Sequence, residues 1–336
     1  MRKTDLLKMS IFIAIALFLL ILCSQVAFLN LRGFNDHEAF YECAEDSIDV
    51  VFIGGSMAYT AFCPAELYDR YGISSYNFGT SNQSMLAGYI WAQEAYEYQK
   101  YKVIVVEAMA LTMSHGEIAT DIRSLFSMGI NHNYLQLAGV YKRNSYKVVF
   151  PIFVLHDGWE ISQKTFAETG NEGNQYLRGF VPLFSQAGEN YQESILRGDE
   201  NATEYLNFTY IDRLREYCDE NEIKLIIVKT LMASNEVNNW NDGYHNQVQE
   251  YATQYNIPFI DFNSVEYMKD AGMDISVDVA ADLRHMSYSG SQKATNYLGE
   301  YMLQMEGIQW NLYKDPRLNH EALDKYYAII DEIEKE

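Results

Sequence analysis

Three runs of β-branched and aliphatic residues, Val50-Val51-Phe52-Ile53, Val103-Ile104-Val105-Val106 and Leu225-Ile226-Ile227-Val228, limit the fold most tightly. A strand with one face in water alternates apolar and polar residues. A short run that is apolar throughout belongs to a strand covered on both faces, the usual state of a parallel sheet between helices. Strands are expected at Asp49–Ile53, Ser75–Phe78, Lys102–Val106, Lys224–Val228 and Pro258–Asp261. Helical patterns fall between and after them, at Pro64–Tyr71, Ser84–Gln99, Glu204–Asn221, Gly243–Tyr255 and Ser289–Glu306. Pro64 suits the first helical position and Gly72 a helix stop. This alternation predicts a doubly wound α/β fold, whose ligands bind beyond the carboxyl ends of the strands.

Two stretches depart from that rhythm. From about residue 112 to 202 the pattern lapses, and we read an insertion over the active edge of the sheet, either a substrate lid or a purely structural cap. At the C-terminus, Asn319–Lys335 has an acidic amphipathic pattern with Leu323, Tyr327, Ile330 and Ile333 on one side, as a packing helix would.

The N-terminus obeys other rules. Met9 through Leu31 contains no charged residue. As a helix rising ~1.5 Å per residue it spans about 35 Å, enough for a bilayer core. Arg2, Lys3 and Lys8 precede it, so residues 1–8 are expected to stay cytoplasmic, 9–31 to form a signal anchor and 33–336 to lie outside. A cleaved signal peptide competes with this reading, but Gln25-Val26-Ala27 is a poor cleavage site.

The formal net charge is −21. Residues 1–32 carry a net +3 (Arg2, Lys3, Lys8 and Arg32 against Asp5), so the remainder is about −24. Such a domain repels nucleic acid, which is not expected as a partner. Four cysteines are too few for a disulfide framework at this size. Cys23 falls in the apolar segment and Cys218 on an apolar stripe, while Cys43 and Cys63 flank the first strand and could pair. No Cys-x-x-Cys or His-x-x-x-His spacing suggests a metal site, and no cofactor is expected. His115, His156 and His245 have no partner pattern.

The chemistry lies in two motifs some 230 residues apart. Gly54-Gly55-Ser56-Met57 follows the first apolar run, where a glycine turn can leave the Ser56 hydroxyl exposed. Asp282-Leu283-Arg284-His285 sets a carboxylate three residues from an imidazole. Together they supply a nucleophile, Ser56, a general base, His285, and an orienting acid, Asp282, the set for acyl transfer through a serine ester. Each also has a structural reading, as a turn serine, a solvated loop histidine and a capping carboxylate.

With Asn77-Phe78-Gly79-Thr80-Ser81-Asn82-Gln83-Ser84 as a middle block, these motifs resemble the SGNH/GDSL hydrolase superfamily, whose first block carries the serine and whose last is Asp-x-x-His. The likeness covers most of the chain after Ile48. It is strongest to a membrane-anchored branch of DltD-like and alginate-acetylation-like proteins, in which a strand, Gly-x-Ser and a Pro-containing stretch open the domain, here with Pro64. It implies a flavodoxin-like sheet of order 2-1-3-4-5. It also implies O-acylation or deacylation of a bacterial cell-wall or exopolysaccharide, beside a membrane-bound O-acyltransferase. Within it, Gly79 would offer an N–H to the oxyanion and Asn82 a side-chain donor, with helix capping as the alternative for Asn82. The superfamily's third block, a Gly-x-Asn-Asp, is not visible. Glu107 stands near its place, and an ionised carboxylate cannot stabilise an oxyanion. That gap favours the alternative, a non-catalytic envelope protein that binds glycan or scaffolds polysaccharide modification.

Overall fold

The protein, as a computed structural model, is described over residues 3–29, 37–155, 175–189, 205–233 and 242–335. Strands β1 (Val50–Ile53), β2 (Ser75–Asn77), β3 (Val103–Glu107), β4 (Lys224–Lys229) and β5 (Phe259–Asp261) form one sheet of order β2-β1-β3-β4-β5. Every neighbouring pair is parallel. This is the flavodoxin-like order expected from the sequence.

A helix α1 (Lys3–Leu29) precedes the sheet, and its Thr4–Ser24 stretch is long and apolar enough to cross a membrane. Helices α2 (Ser56–Tyr59), α3 (Pro64–Tyr71) and α4 (Met85–Gln99) follow the first two strands. Between β3 and β4 come the short helices α5 (Ile118–Leu125), α6 (Gln136–Val140), α7 (Ser145–Val149) and α8 (Ile152–Leu155), then α9 (Thr209–Glu220). The C-terminal part adds α10 (Asp242–Tyr255), α11 (Val265–Asp270), α12 (Ile275–Asp278), α13 (Tyr288–Leu303) and α14 (His320–Ile333). Residues 156–174 and 190–204, which hold His156 and much of the expected cap, lie outside the described residues.

Alternate residues of the apolar runs go to opposite cores. Val51, Ile53, Ile104, Val106, Leu225 and Ile227 pack with Trp91, Ile90, Leu214 and Val248 on one face. Val50, Phe52, Val103, Val105, Ile226 and Val228 pack with Phe62, Leu67, Leu298 and Met302 on the other. All but Leu225, itself only 7% exposed, are at most 1% exposed, which is why the sequence shows no alternation. Burying one such side chain contributes roughly 1.5–3 kcal/mol.

Local signals explain several helix ends. Ser84 caps α4 by accepting the Ala87 N–H at 3.2 Å, Ser287 caps α13 through Gly290 and Asn319 caps α14 through Ala322. Gly72 ends α3 at φ 71°, and a Cβ there would lie 2.5 Å from the Tyr313 ring. Residues 205–208 are not helical, so the helix expected from Glu204 begins at Thr209. The buried stripe of α14 centres on Ala322, Tyr326 and Ile330 rather than on Leu323 and Tyr327.

The pairing left open for Cys43 and Cys63 is not made: both thiols are free. Cys63 is buried with its sulfur 3.7 Å from the Ser291 hydroxyl, and Cys43 donates to the Ala39 carbonyl instead. Cys218 is buried in the core, as its stripe suggested.

Candidate active site

The turn after β1 is built to present one side chain. Gly54 has φ 149°, and a Cβ there would stand 2.8 Å from the Glu107 Cβ and 3.0 Å from the Ala58 Cβ, so only glycine fits. Its N–H donates to Gln83 Oε1 at 2.9 Å and its carbonyl accepts from the Thr80 N–H at 3.1 Å. Gln83 also donates to the Phe78 carbonyl at 2.6 Å, which clamps the turn to the loop after β2. Ser56 is the first residue of α2, at the carboxyl end of β1, and its N–H has no partner among the described residues.

The second half comes from the loop before α13. Val279 and Met286 form an antiparallel bridge, and the Ala280 N–H donates to the His285 carbonyl at 2.8 Å. The Leu283 carbonyl, in a residue at φ 63°, accepts the Ala233 N–H beyond β4. Asp282 Oδ1 accepts the N–H groups of Arg284 (2.9 Å) and His285 (3.1 Å), so the same carboxylate shapes the turn and faces the ring.

Three side chains meet there. Asp282 Oδ2 lies 2.5 Å from His285 Nδ1, and His285 Nε2 lies 2.7 Å from Ser56 Oγ. With the carboxylate accepting at Nδ1, the ring proton belongs on that nitrogen, which leaves Nε2 to accept the serine proton. Burial of the Asp282 carboxyl works against its ionisation. The His285 side-chain bond and the two backbone N–H groups outweigh burial and hold it well below the usual carboxylate range.

A segment running from Tyr176 to Gly188 ties the two halves together. The Val181 N–H donates to the Tyr59 carbonyl at 2.8 Å, while the Leu183 carbonyl accepts the Tyr288 N–H at 2.6 Å. Its start is anchored on the sheet edge, where the Asn77 N–H donates to the Arg178 carbonyl and Arg178 Nη1 pairs with Asp315 at 2.7 Å.

The two expected oxyanion donors fare differently. The Gly79 N–H already donates to Asn77 Oδ1 at 3.0 Å, and the Asn77 amide is itself fixed on the carbonyls of Ala58 and Phe62. Gly79 is therefore committed inside the protein and does not offer a donor; a Cβ there would meet the Tyr59 N–H at 2.9 Å. Asn82 is exposed at φ 54°, with its carboxamide unpartnered among the described residues. The cap of α4 is Ser84, not Asn82.

Glu107 takes no part in oxyanion binding. It is fully buried, with Lys229 Nζ and the Thr230 hydroxyl each 3.3 Å from Oε1 and the Met109 N–H on Oε2. Lys229 is equally buried, and removing one member of such a pair costs about 3–5 kcal/mol. The pair supports the floor of the Ser56 turn through the Gly54 contact.

Tyr59, one helical turn after Ser56, is the residue that sequence reasoning missed. Its phenol lies near enough to Ser56, Ser81 and Asp282 for each of them to act on its ionisation. Burial pushes the phenol up to about 12, against the pull of those two serines, so it stays a neutral O–H donor at ordinary pH. Ser-x-x-Tyr by itself carries no signal, because the approach depends on how α2 is rotated.

A second histidine–carboxylate pair lies elsewhere. His245 Nδ1 on α10 is 2.9 Å from Asp261 Oδ2 at the end of β5, so His245 does have a partner.

No family model matches the chain, and no curated protein sequence does. Its fold is similar to solved structures at low identity. A lipase/acylhydrolase from Enterococcus faecalis is 10% identical over 78% of this chain and 100% of its own, with a TM-score of 0.38. An acetyl xylan esterase from Geobacillus stearothermophilus is 11% identical over 79% and 99%, also at 0.38. A GDSL-like lipase from Bacteroides thetaiotaomicron is 12% identical over 76% and 88%, at 0.36.

Proposed function

We propose that the chain performs serine-dependent acyl transfer or ester hydrolysis on a cell-envelope polysaccharide, through an acyl-enzyme on Ser56. The observation that carries this is the unbroken hydrogen-bond chain Asp282–His285–Ser56, whose members come from opposite ends of the sequence. Structural serines and histidines have no need of that alignment.

In this reading Ser56 Oγ attacks an ester carbonyl while its proton passes to His285 Nε2. The imidazolium so formed is held by Asp282, and its proton then goes to the departing alkoxide as the ester C–O bond breaks. Water or a sugar hydroxyl next attacks the acyl-enzyme, giving its proton to His285, which passes it to Ser56 Oγ as the acyl–serine C–O bond breaks. The carbonyl oxygen becomes an oxyanion in each half; the Ser56 N–H, unpaired among the described residues, is the donor at hand, and the neutral Tyr59 hydroxyl and the exposed Asn82 carboxamide are the candidates to assist it.

The polymer target rests on the likeness of the three sequence blocks to envelope-modifying hydrolases. Placement outside the membrane, with residues 1–8 inside, rests on the apolar run of α1 and on Arg2, Lys3 and Lys8 before that run. A membrane-bound O-acyltransferase as partner has the same source as the polymer. The non-catalytic scaffold draws support from the committed Gly79 N–H, since one usual donor is absent.

Acyl release separates these readings. Full-length protein in detergent, given O-acetylated polysaccharide or small acetyl esters, should release acetate, and Ser56→Ala should not. Equal release by both proteins, or none by wild type with either substrate class, would favour the scaffold.

A further inference from the structure

From Ile122 through Leu155 the chain holds no Asp or Glu, although acidic residues make up about one in seven of the whole. The same stretch contains Arg123, Lys142, Arg143 and Lys147, so a basic island sits in a protein of net charge −21. Lys142 and Arg143 are exposed, and none of Lys142, Arg143 and Lys147 has a carboxylate partner among the described residues.

Beside these cations the fold leaves large apolar side chains in water. Tyr146 is 49% exposed, Val149 37% and Phe153 46%. They form one patch: the Tyr146 and Phe153 rings lie 5.7 Å apart, Phe150 and Phe153 6.5 Å, and Lys147 Nζ stands 6.0 Å from the Tyr146 ring. Aromatic rings flanked by lysine and arginine suit the headgroup boundary of a bilayer, where the rings reach acyl chains and the cations meet phosphates. An isolated patch of this kind would not identify its occupant.

Its neighbour does. Helix α8, which carries Phe153, packs against α1. Within α1 the stretch Thr4–Ser24 is otherwise uncovered, and contact is confined to Ala16, Leu20 and Ser24, one stripe toward its C-terminal end. The basic aromatic patch is therefore continuous with α1 in its C-terminal half, where Ser24 is the last residue of the stretch able to cross a membrane.

We propose that α7 and α8 dock on the surface of the bilayer crossed by α1, with Tyr146, Val149 and Phe153 at the acyl boundary and Lys142, Arg143 and Lys147 on anionic headgroups. The proposal rests on reading α1 as a span. Docking would hold the α/β domain in one orientation to the membrane instead of leaving it on a free tether. Three basic residues at an anionic surface are worth roughly a hundredfold in the docked-to-undocked ratio.

The test is amide hydrogen exchange of the full chain in nanodiscs of phosphatidylcholine, with and without phosphatidylglycerol. On anionic discs, exchange over 141–155 should be roughly tenfold slower or more than in Lys142→Glu/Arg143→Glu/Lys147→Glu, while the sheet exchanges alike in both. Phe153→Asp should lose the protection without losing the sheet. Equal exchange over 141–155 in wild type and the charge-reversed variant, with α1 protected, overturns docking and leaves the anchor standing. An unprotected α1 overturns the anchor itself and docking with it.

Discussion

Among the described residues are two histidine–aspartate pairs, His245–Asp261 at 2.9 Å and His285–Asp282 at 2.5 Å, set in different surroundings. In the pair from β5 and α10, Asp261 is 1% exposed and its second oxygen is taken by the backbone and side-chain N–H groups of Asn263. The His245 ring leans on Phe259 at 5.3 Å, and no hydroxyl meets its other nitrogen among the described residues. In the pair before α13, the Asp282 side chain is 46% exposed, and the far nitrogen of His285 ends on Ser56 Oγ, next to an unpaired N–H. Orienting a histidine is thus common to both. What differs is whether the oriented ring has a proton to take and whether the resulting charge has a donor to meet.

The largest effect should come from the group that only one pair possesses. Ser56→Ala should lower kcat for ester cleavage by roughly 10³–10⁶-fold, measured with small acyl esters, with folding unchanged by circular dichroism. A loss below tenfold would erase the functional difference between the two pairs.

Asp282→Asn should follow, at about 10²–10⁴-fold in kcat, because the ring would lose both its tautomer and the partner of its imidazolium. It also has a stability signature. A carboxyl with a lowered folded-state pKa stabilises the protein above the unfolded value, and that contribution fades as pH falls through the folded value. The difference in unfolding free energy between wild type and Asp282→Asn should then be flat from pH 7 to about 4 and shrink below it. A difference that instead grows toward acid would contradict the lowered carboxyl.

Tyr59→Phe should cost about 10²-fold in kcat with little change in KM, as expected for one oxyanion donor. Fluorotyrosines at this position should alter the rate in step with phenol acidity, which a packing role would not do.

The smallest catalytic effect is reserved for the other pair. His245→Ala should keep kcat within about twofold while lowering unfolding free energy by about 1–3 kcal/mol, read by urea denaturation, since Asp261 would lose a buried partner. A large loss of activity would mean that the C-terminal ends of β4 and β5 belong to the site.

How much of this could be read in advance follows the range of each interaction. The strands were legible because burial on both faces writes itself into consecutive residues, as in Val103–Val106. The Asp282–His285 geometry was legible for a similar reason, since Asp282 Oδ1 builds the turn from N–H groups two and three residues on. Gly79 was misread although its signal was local: Asn77 stands two residues earlier, the spacing of an Asx turn, and its carboxamide takes the N–H. Long-range partners left no such trace. Glu107 and Lys229 are 122 residues apart and meet because β3 and β4 end together, and His245 meets Asp261 through the packing of α10 on β5. The Tyr59 hydroxyl depends on the seating of α2, which the strap from Tyr176 to Gly188 helps to fix from outside the local sequence.

The most direct test of the central claim is intact-mass analysis after exposure to a fluorophosphonate, with peptide mapping of the adduct. Such a probe phosphonylates a serine only where a neighbouring base has activated it. The account predicts one adduct on wild type, mapped to Ser56, retained in His245→Ala and absent from Ser56→Ala and His285→Ala. An adduct that survives loss of His285, or that maps to another residue, would contradict it.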